Sequence, residues 1–202
     1  MTSSSSPQAP DVAERSYRSP AGIAGGILLL GLAAWLGGDA MLRGTGNTPW
    51  LALAALIFVV PLIIAFTLRP AVWAGTERLL IRNPFRTITL PWGCVEGVRA
   101  GYSSEVFAGG TKYQLWAIPV SLRQRKRAAR TAARDAATDV TGRASVTAAP
   151  LRAPSDQAID DLRELAERGA SREGVPTVRW AYEVIAPAAV GLVLLCALAA
   201  VG

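Results

Sequence analysis

Three apolar stretches, each long enough to cross a lipid bilayer, constrain this chain more than anything else in it. They run Ala21–Leu42, Trp50–Leu68 and Trp180–Val201. An α-helix needs about 20 apolar residues to cross the hydrocarbon core. The backbone must satisfy its own hydrogen bonds there, so each stretch is predicted to be a transmembrane helix. Charge is confined to the ends, with Asp39 late in the first stretch and Glu183 early in the third. The first stretch is preceded by acidic Asp11 and Glu14 and is longer than a signal-peptide core, so it reads as a retained anchor.

Between the second and third stretches lies one soluble block, residues 69–179, the size of a single small domain. It carries 18 Lys+Arg against 11 Asp+Glu, a balance of +7, whereas the loop 43–49 holds only Arg43. Basic residues near span ends are retained in the cytoplasm. Arg15 and Arg18 precede the first span, Arg69, Arg78 and Arg82 follow the second, and Arg168, Arg172 and Arg179 precede the third. The expected topology therefore has the N-terminus and the 69–179 domain in the cytoplasm and the C-terminus outside, in a bacterial inner membrane. Trp35, Trp50, Trp73, Trp180 and Tyr182 fall near span ends, where aromatic belts form.

Residues 1–20 are rich in Ser and Pro without apolar period and read as a disordered tail. Gly22 and Gly26 make a small-residue pair suited to close helix packing, and Pro61 is predicted to kink the second span. Beyond Pro70 the pattern turns to strands. Glu77–Arg82 and Thr87–Leu90 flank an Asn83-Pro84-Phe85-Arg86 turn, with Ile88 and Leu90 on one face. Cys94–Ala100 is a further strand, and Ser104–Phe107 and Thr111–Val120 form a second hairpin around Gly109-Gly110. Four or five short strands point to a small antiparallel sheet or partial barrel. An insert at 121–154 is Arg/Ala-rich and then Ala/Thr/Pro-rich, a linker composition. Ser155 is the expected N-cap of an amphipathic helix over 156–168, with Ile159, Leu162, Leu165 and Ala166 as its apolar stripe and Gly169 closing it.

Strands followed by one C-terminal amphipathic helix is the element order of the pleckstrin-homology (PH) superfold. The run from Thr76 through Asn83-Pro84-Phe85 to Pro91-Trp92, with Val95 and Val98 beyond, resembles the bacterial PH-like domain of actinobacterial membrane proteins, the family named after a low-molecular-weight mycobacterial antigen. In that family, too, two membrane helices precede the strands. The 121–154 insert and the third span depart from its pattern. An excess of 19 Arg over 2 Lys suits a high-GC bacterial source. The resemblance implies a membrane location and a small α+β PH-like domain of antiparallel strands capped by one helix. It implies no activity, since a fold does not carry a function.

The sharpest local signal is the basic run Arg123, Arg125, Lys126, Arg127, Arg130 and Arg134, which contains no acid. As a helix it would place Arg123, Arg127, Arg130 and Arg134 on one face. Such clusters bind anionic lipid headgroups at about 1 kcal/mol per residue near the surface. They also occur as solvated runs that only enforce topology. No aromatic side chain is interleaved, so base stacking has no platform and nucleic acid is not an expected partner. Histidine is absent, and the chain has no nucleophile elbow, phosphate loop or zinc-protease motif, so no enzyme, cofactor or metal site is expected. Cys94 and Cys196 lie in different compartments and form no disulfide framework. Ser103-Ser104-Glu105 and Gly109-Gly110-Thr111-Lys112 read as turns, Trp92 and Trp116 as packing residues, and Asp156, Asp160, Asp161 and Glu164 as a solvated face pairing with Arg163 and Arg168. Asp39 is placed to pair with Arg43.

The whole reads as a three-span membrane protein whose PH-like domain binds a lipid or protein at the envelope. The second reading is a structural accessory subunit, with the small residues of spans 1 and 3 as packing faces. Changing Arg123, Arg127, Arg130 and Arg134 to Gln is expected to abolish salt-sensitive binding of the soluble segment to phosphatidylglycerol vesicles if the run contacts lipid. Equal binding by the two forms, measured across a salt series, would leave the run as topology and linker.

Overall fold

Three strands are joined almost directly to three membrane-length helices, and this splicing shapes the molecule. The computed structural model describes residues 15–118, residue 130 and residues 154–201. The elements are β1 (Arg15–Tyr17), α1 (Pro20–Arg43), α2 (Thr48–Ile63) with a π-helical turn (Ile64–Leu68), β2 (Ala71–Ala74), β3 (Arg78–Arg82) and β4 (Arg86–Pro91). A 3-10 turn (Trp92–Cys94), β5 (Val95–Ala100), β6 (Ser104–Ala108), β7 (Thr111–Gln114), α3 (Pro154–Arg168), β8 (Thr177–Trp180) and α4 (Tyr182–Val201) follow.

The helices Pro20–Arg43, Thr48–Leu68 and Tyr182–Val201 are long and apolar enough to cross a membrane. Proline at the first position and the Ser19 hydroxyl, which accepts from Gly22 N–H at 3.1 Å, start α1 cleanly. The α-helical geometry of α2 gives way to the π turn shortly after Pro61, whose missing N–H breaks the ladder. α2 is the middle helix, packed on α1 at one side and α4 at the other. Close approach falls at glycines. A Cβ on Gly26 would collide with Thr67, one on Gly37 would meet Leu56 at 2.6 Å, and one on Gly191 would strike the backbone of Ile57–Phe58. Gly22 also lies against Ser19 and Thr67. These small residues are therefore used inside the chain.

The soluble part differs from the expected four or five strands. Among the described residues eight strands pair, all antiparallel, in a five-stranded sheet ordered β1-β2-β3-β4-β8 and a three-stranded sheet ordered β5-β6-β7. Two departures have one cause, pairing between segments far apart in sequence. The last residues of the expected 1–20 tail, Arg15–Tyr17, form β1 and pair with β2 across the whole α1–α2 hairpin. Residues 1–14 lie outside the described residues. Trp180, expected to open the third span, ends β8, which pairs with β4. Ser155, the expected N-cap, is instead the second residue of α3, which starts at Pro154. In addition, the strand expected over 111–120 stops at Gln114.

The core lies between the two sheets and α3. Leu79, Ile81, Ile88 and Leu90 face inward from β3 and β4, Val98 and Val106 from β5 and β6, and Ile159, Leu162 and Leu165 from α3. Burying each such side chain contributes about 1.5–3 kcal/mol. Trp92 is 1% exposed, and its indole N–H donates to the Gly75 carbonyl at 2.9 Å. Gly169 ends α3 against the Trp92 side chain, where a Cβ would come within 2.5 Å.

Replacing Gly191 by Leu is expected to force α2 and α4 apart and cost about 1–3 kcal/mol, as overpacking does. The check is thermal unfolding in detergent, with exposed Val193→Leu as the comparison that leaves the midpoint in place.

Candidate functional site

The residue that sets the geometry is Arg69, first after the π turn. Its side chain is only 10% exposed. Nε donates to the Asn83 carbonyl at 3.2 Å, Nη2 to the Thr87 hydroxyl at 3.2 Å and Nη1 to Glu183 Oε1 at 2.8 Å. One guanidinium thus ties the end of α2 to the β3–β4 turn and to the first turn of α4. Further bonds hold the same turn. The Ala181 N–H donates to the Phe85 carbonyl at 2.9 Å, and the Asn83 amide donates to the Gln114 carbonyl at 2.8 Å.

Around this clamp the sheet register gathers charge. Arg82 pairs with Thr87 and Thr87 with Arg179, so both arginines lie in the row of the sheet nearest the helices. Arg86 pairs with Trp180 one register position beyond that row and on the alternate face of the sheet, and Arg18 follows Tyr17 at the end of β1. Arg18, Arg82, Arg86 and Arg179 are all exposed. Indoles are interleaved with them. The Arg18 and Arg82 guanidiniums stand 5.6 Å and 5.3 Å from the Trp73 ring, and Arg86 stands 4.6 Å from the Trp180 ring. Cation–π contact at an exposed ring orients a guanidinium while leaving its N–H donors free for an anion.

Beside the row is a groove of about 460 Å³ between the β3–β4 turn, β7 and the end of the π turn. Phe66 stands edge-on to Phe85 at 5.3 Å and tilted to Trp116 at 5.6 Å, while Arg86 and Lys112 bring positive charge to its walls. Lys112 pairs with Glu105 at 3.3 Å. The Ser103 hydroxyl donates to the Glu105 carboxyl and holds it below the usual carboxylate range, with Lys112 acting in the same direction. Trp116, read from sequence as a packing residue, is 44% exposed and lines this groove.

The basic run fares differently. Arg123, Arg125, Lys126, Arg127 and Arg134 lie outside the described residues, and Arg130 is described only as exposed and helical. Asp39 and Arg43 pair at 3.0 Å. On α3, Asp160 pairs with Arg163 at 3.1 Å and Glu164 with Arg168 at 3.4 Å. Gly109 and Gly110 take φ of 55° and 69° in the β6–β7 turn. Cys94 is partly buried, with Sγ 2.9 Å from the Pro91 carbonyl, and burial pushes its thiol pKa up. Among the described residues no group of three His, Cys, Asp or Glu is arranged to hold a metal. Sequence reasoning missed the arginine row because its members lie at positions 18, 82, 86 and 179, and no local window contains them all.

Compared with known proteins, residues 69–168 match the family described as "Bacterial PH domain". The match takes in β2 through α3 and leaves out β1, β8 and all three membrane-length helices. No curated protein and no solved structure matches the chain.

Arg69→Leu removes three donors at once and leaves the Asn83 carbonyl and Thr87 hydroxyl part-buried. Unsatisfied groups of this kind cost about 1–3 kcal/mol. The expected loss of stability in denaturant titration is larger than that of Glu183→Gln, because Glu183 is 63% exposed and solvent screens the pair.

Proposed function

We propose that this chain, whose residues 69–168 match the bacterial PH domain family, is a three-span membrane protein whose domain binds anionic lipid headgroups at the cytoplasmic face. It acts there as a scaffold or regulator and not as a catalyst. The observation that carries this reading is the arginine–tryptophan row, which lies at the same end of the sheet as all three strand–helix joints. If the helices span, that end lies at the level of the headgroups. Guanidiniums there meet phosphates, and indoles favour the interface.

Charge supports the orientation. The side that holds the domain also holds Arg15, Arg18 and the +7 balance of residues 69–179, so the positive-inside rule puts it in the cytoplasm. β1 and β2 pair directly, which keeps the segment before α1 and the segment after α2 on one side. The accessory-subunit reading has mixed support, since Gly22, Gly26, Gly37 and Gly191 pack within the chain while Gly25, Gly31 and Gly38 of α1 meet nothing within 4 Å. A protein partner in place of lipid is an outcome of the test below.

With Arg82, Arg86 and Arg179 changed to Gln, retention of phosphatidylglycerol by the full chain in mild detergent is expected to fall at least tenfold. Each basic residue near the surface contributes about 1 kcal/mol, and about 1.4 kcal/mol is a factor of ten. Retention by the unsubstituted chain should itself decline as salt rises, and phosphatidylcholine should be held weakly at every salt concentration. Equal retention of the two lipids would remove lipid from the reading and leave the row as a surface for an acidic protein.

A further inference from the structure

A second cavity, of about 430 Å³, opens where β1 passes into α1 and the N-terminal end of α3 faces that joint. Pro20, Ala21, Ile118 and Ala158 give it apolar walls, and Arg18 and Ser155 are among its polar lining. Ser155 is the unusual member. It is 6% exposed, and its hydroxyl has no hydrogen-bond partner among the described residues. A buried hydroxyl left unpaired is costly, and each such group in a native structure calls for an explanation, a bound ion being one.

The setting favours an anion. Ser155 is the second residue of the 15-residue helix α3. The first N–H groups of a helix have no partner within it, here beginning at Ser155 because Pro154 has no N–H, and the dipole is positive at that end. Arg18 brings a guanidinium, oriented by Trp73 at 5.6 Å. The acid on α3 that reaches β1 is already compensated. Asp161 is paired with Arg15 at 2.9 Å and accepts from the Tyr17 hydroxyl at 3.1 Å. Asp156 is not among the residues lining the cavity.

We propose that this cavity binds a phosphate ester. The Ser155 hydroxyl and the first N–H groups of α3 donate to its oxygens, and Arg18 pairs its charge. The inference rests on the lipid-binding reading above and names a defined site within it, which shares Arg18 with the arginine row. Two sources share the chemistry. One is a phospholipid, whose glycerol end meets Pro20 and Ala21 at the head of the first helix. The other is a soluble phosphate ester.

The test uses the full chain in mild detergent, titrated with short-chain phosphatidylglycerol and separately with glycerol 3-phosphate, for the parent chain and for Ser155→Ala. The substitution removes an unpaired hydroxyl, so without ligand the variant should melt at or above the parent's midpoint. Its binding should weaken about tenfold, and Ser155→Asp, which adds a carboxylate, should bind still less. Binding of phosphatidylglycerol alone supports a lipid site, whereas equal binding of both ligands supports a soluble ester. Binding by Ser155→Ala equal to the parent's, or no binding of either ligand by the parent, overturns the proposal. The two readings separate in the variants. If the Arg82, Arg86 and Arg179 changes abolish lipid retention while Ser155→Ala binds normally, the surface reading stands and the cavity site falls. If Ser155→Ala alone loses binding, the cavity stands without the row.

Discussion

Almost no chain separates the sheet from the helices, and most of the structure follows from that. Arg18 and Ser19 join β1 to α1, Arg69 and Pro70 join the π turn to β2, and Ala181 alone joins β8 to α4. With joints this short the sheet cannot swing freely, and the part-buried Arg69 guanidinium locks it further by holding two of the joints and the β3–β4 turn together. A guanidinium suits this place because its planar fork serves three acceptors in different directions. The π turn before it resets the phase of the helix so that the chain can leave into β2.

That rigidity gives the surface residues their meaning. The arginines near the helices owe their common level to antiparallel register, and a slip of one residue in β3 or β8 would turn Arg82 or Arg179 to the core face. The family match spans β2 to α3, and the strands it leaves out, β1 and β8, are the ones spliced to α1 and α4. They extend the domain's sheet at both edges, and they supply Arg179 and lead into Arg18. Two of the three joints to the helices therefore lie outside the part that matches the bacterial PH domain family, while the third, with Arg69, lies at its first residue. An unpaired edge strand would also be open to pairing with other chains, and β1 and β8 cover both edges of the inner three strands.

Much of the fold was legible, though not evenly. The β3–β4 hairpin could be read because Ile88 and Leu90 alternate with threonines around an Asn-Pro turn, and α3 because Ile159, Leu162 and Leu165 recur at helical spacing. β2 could not, because Ala71-Val72-Trp73-Ala74 continues the apolar composition of the span before it and has no polar alternation. β1 has three residues and β8 four, too few to carry a period. Of the candidate site, Trp116 and the arginines were visible as residues but not as neighbours. The glycines were legible as packing residues, but not their partners, which sit on α2 for both Gly37 and Gly191.

Membrane length, charge sidedness and the PH-like element order were determined by the sequence alone, because hydrophobicity, charge and local period are sums over neighbouring residues. Tertiary structure decided the rest. The pairing of β1 with β2 across an entire helical hairpin, the gathering of four arginines from distant positions and the burial of the Ser155 hydroxyl all depend on contacts between remote segments. Such contacts are selected by the packing of the whole core, and no stretch of sequence encodes them by itself.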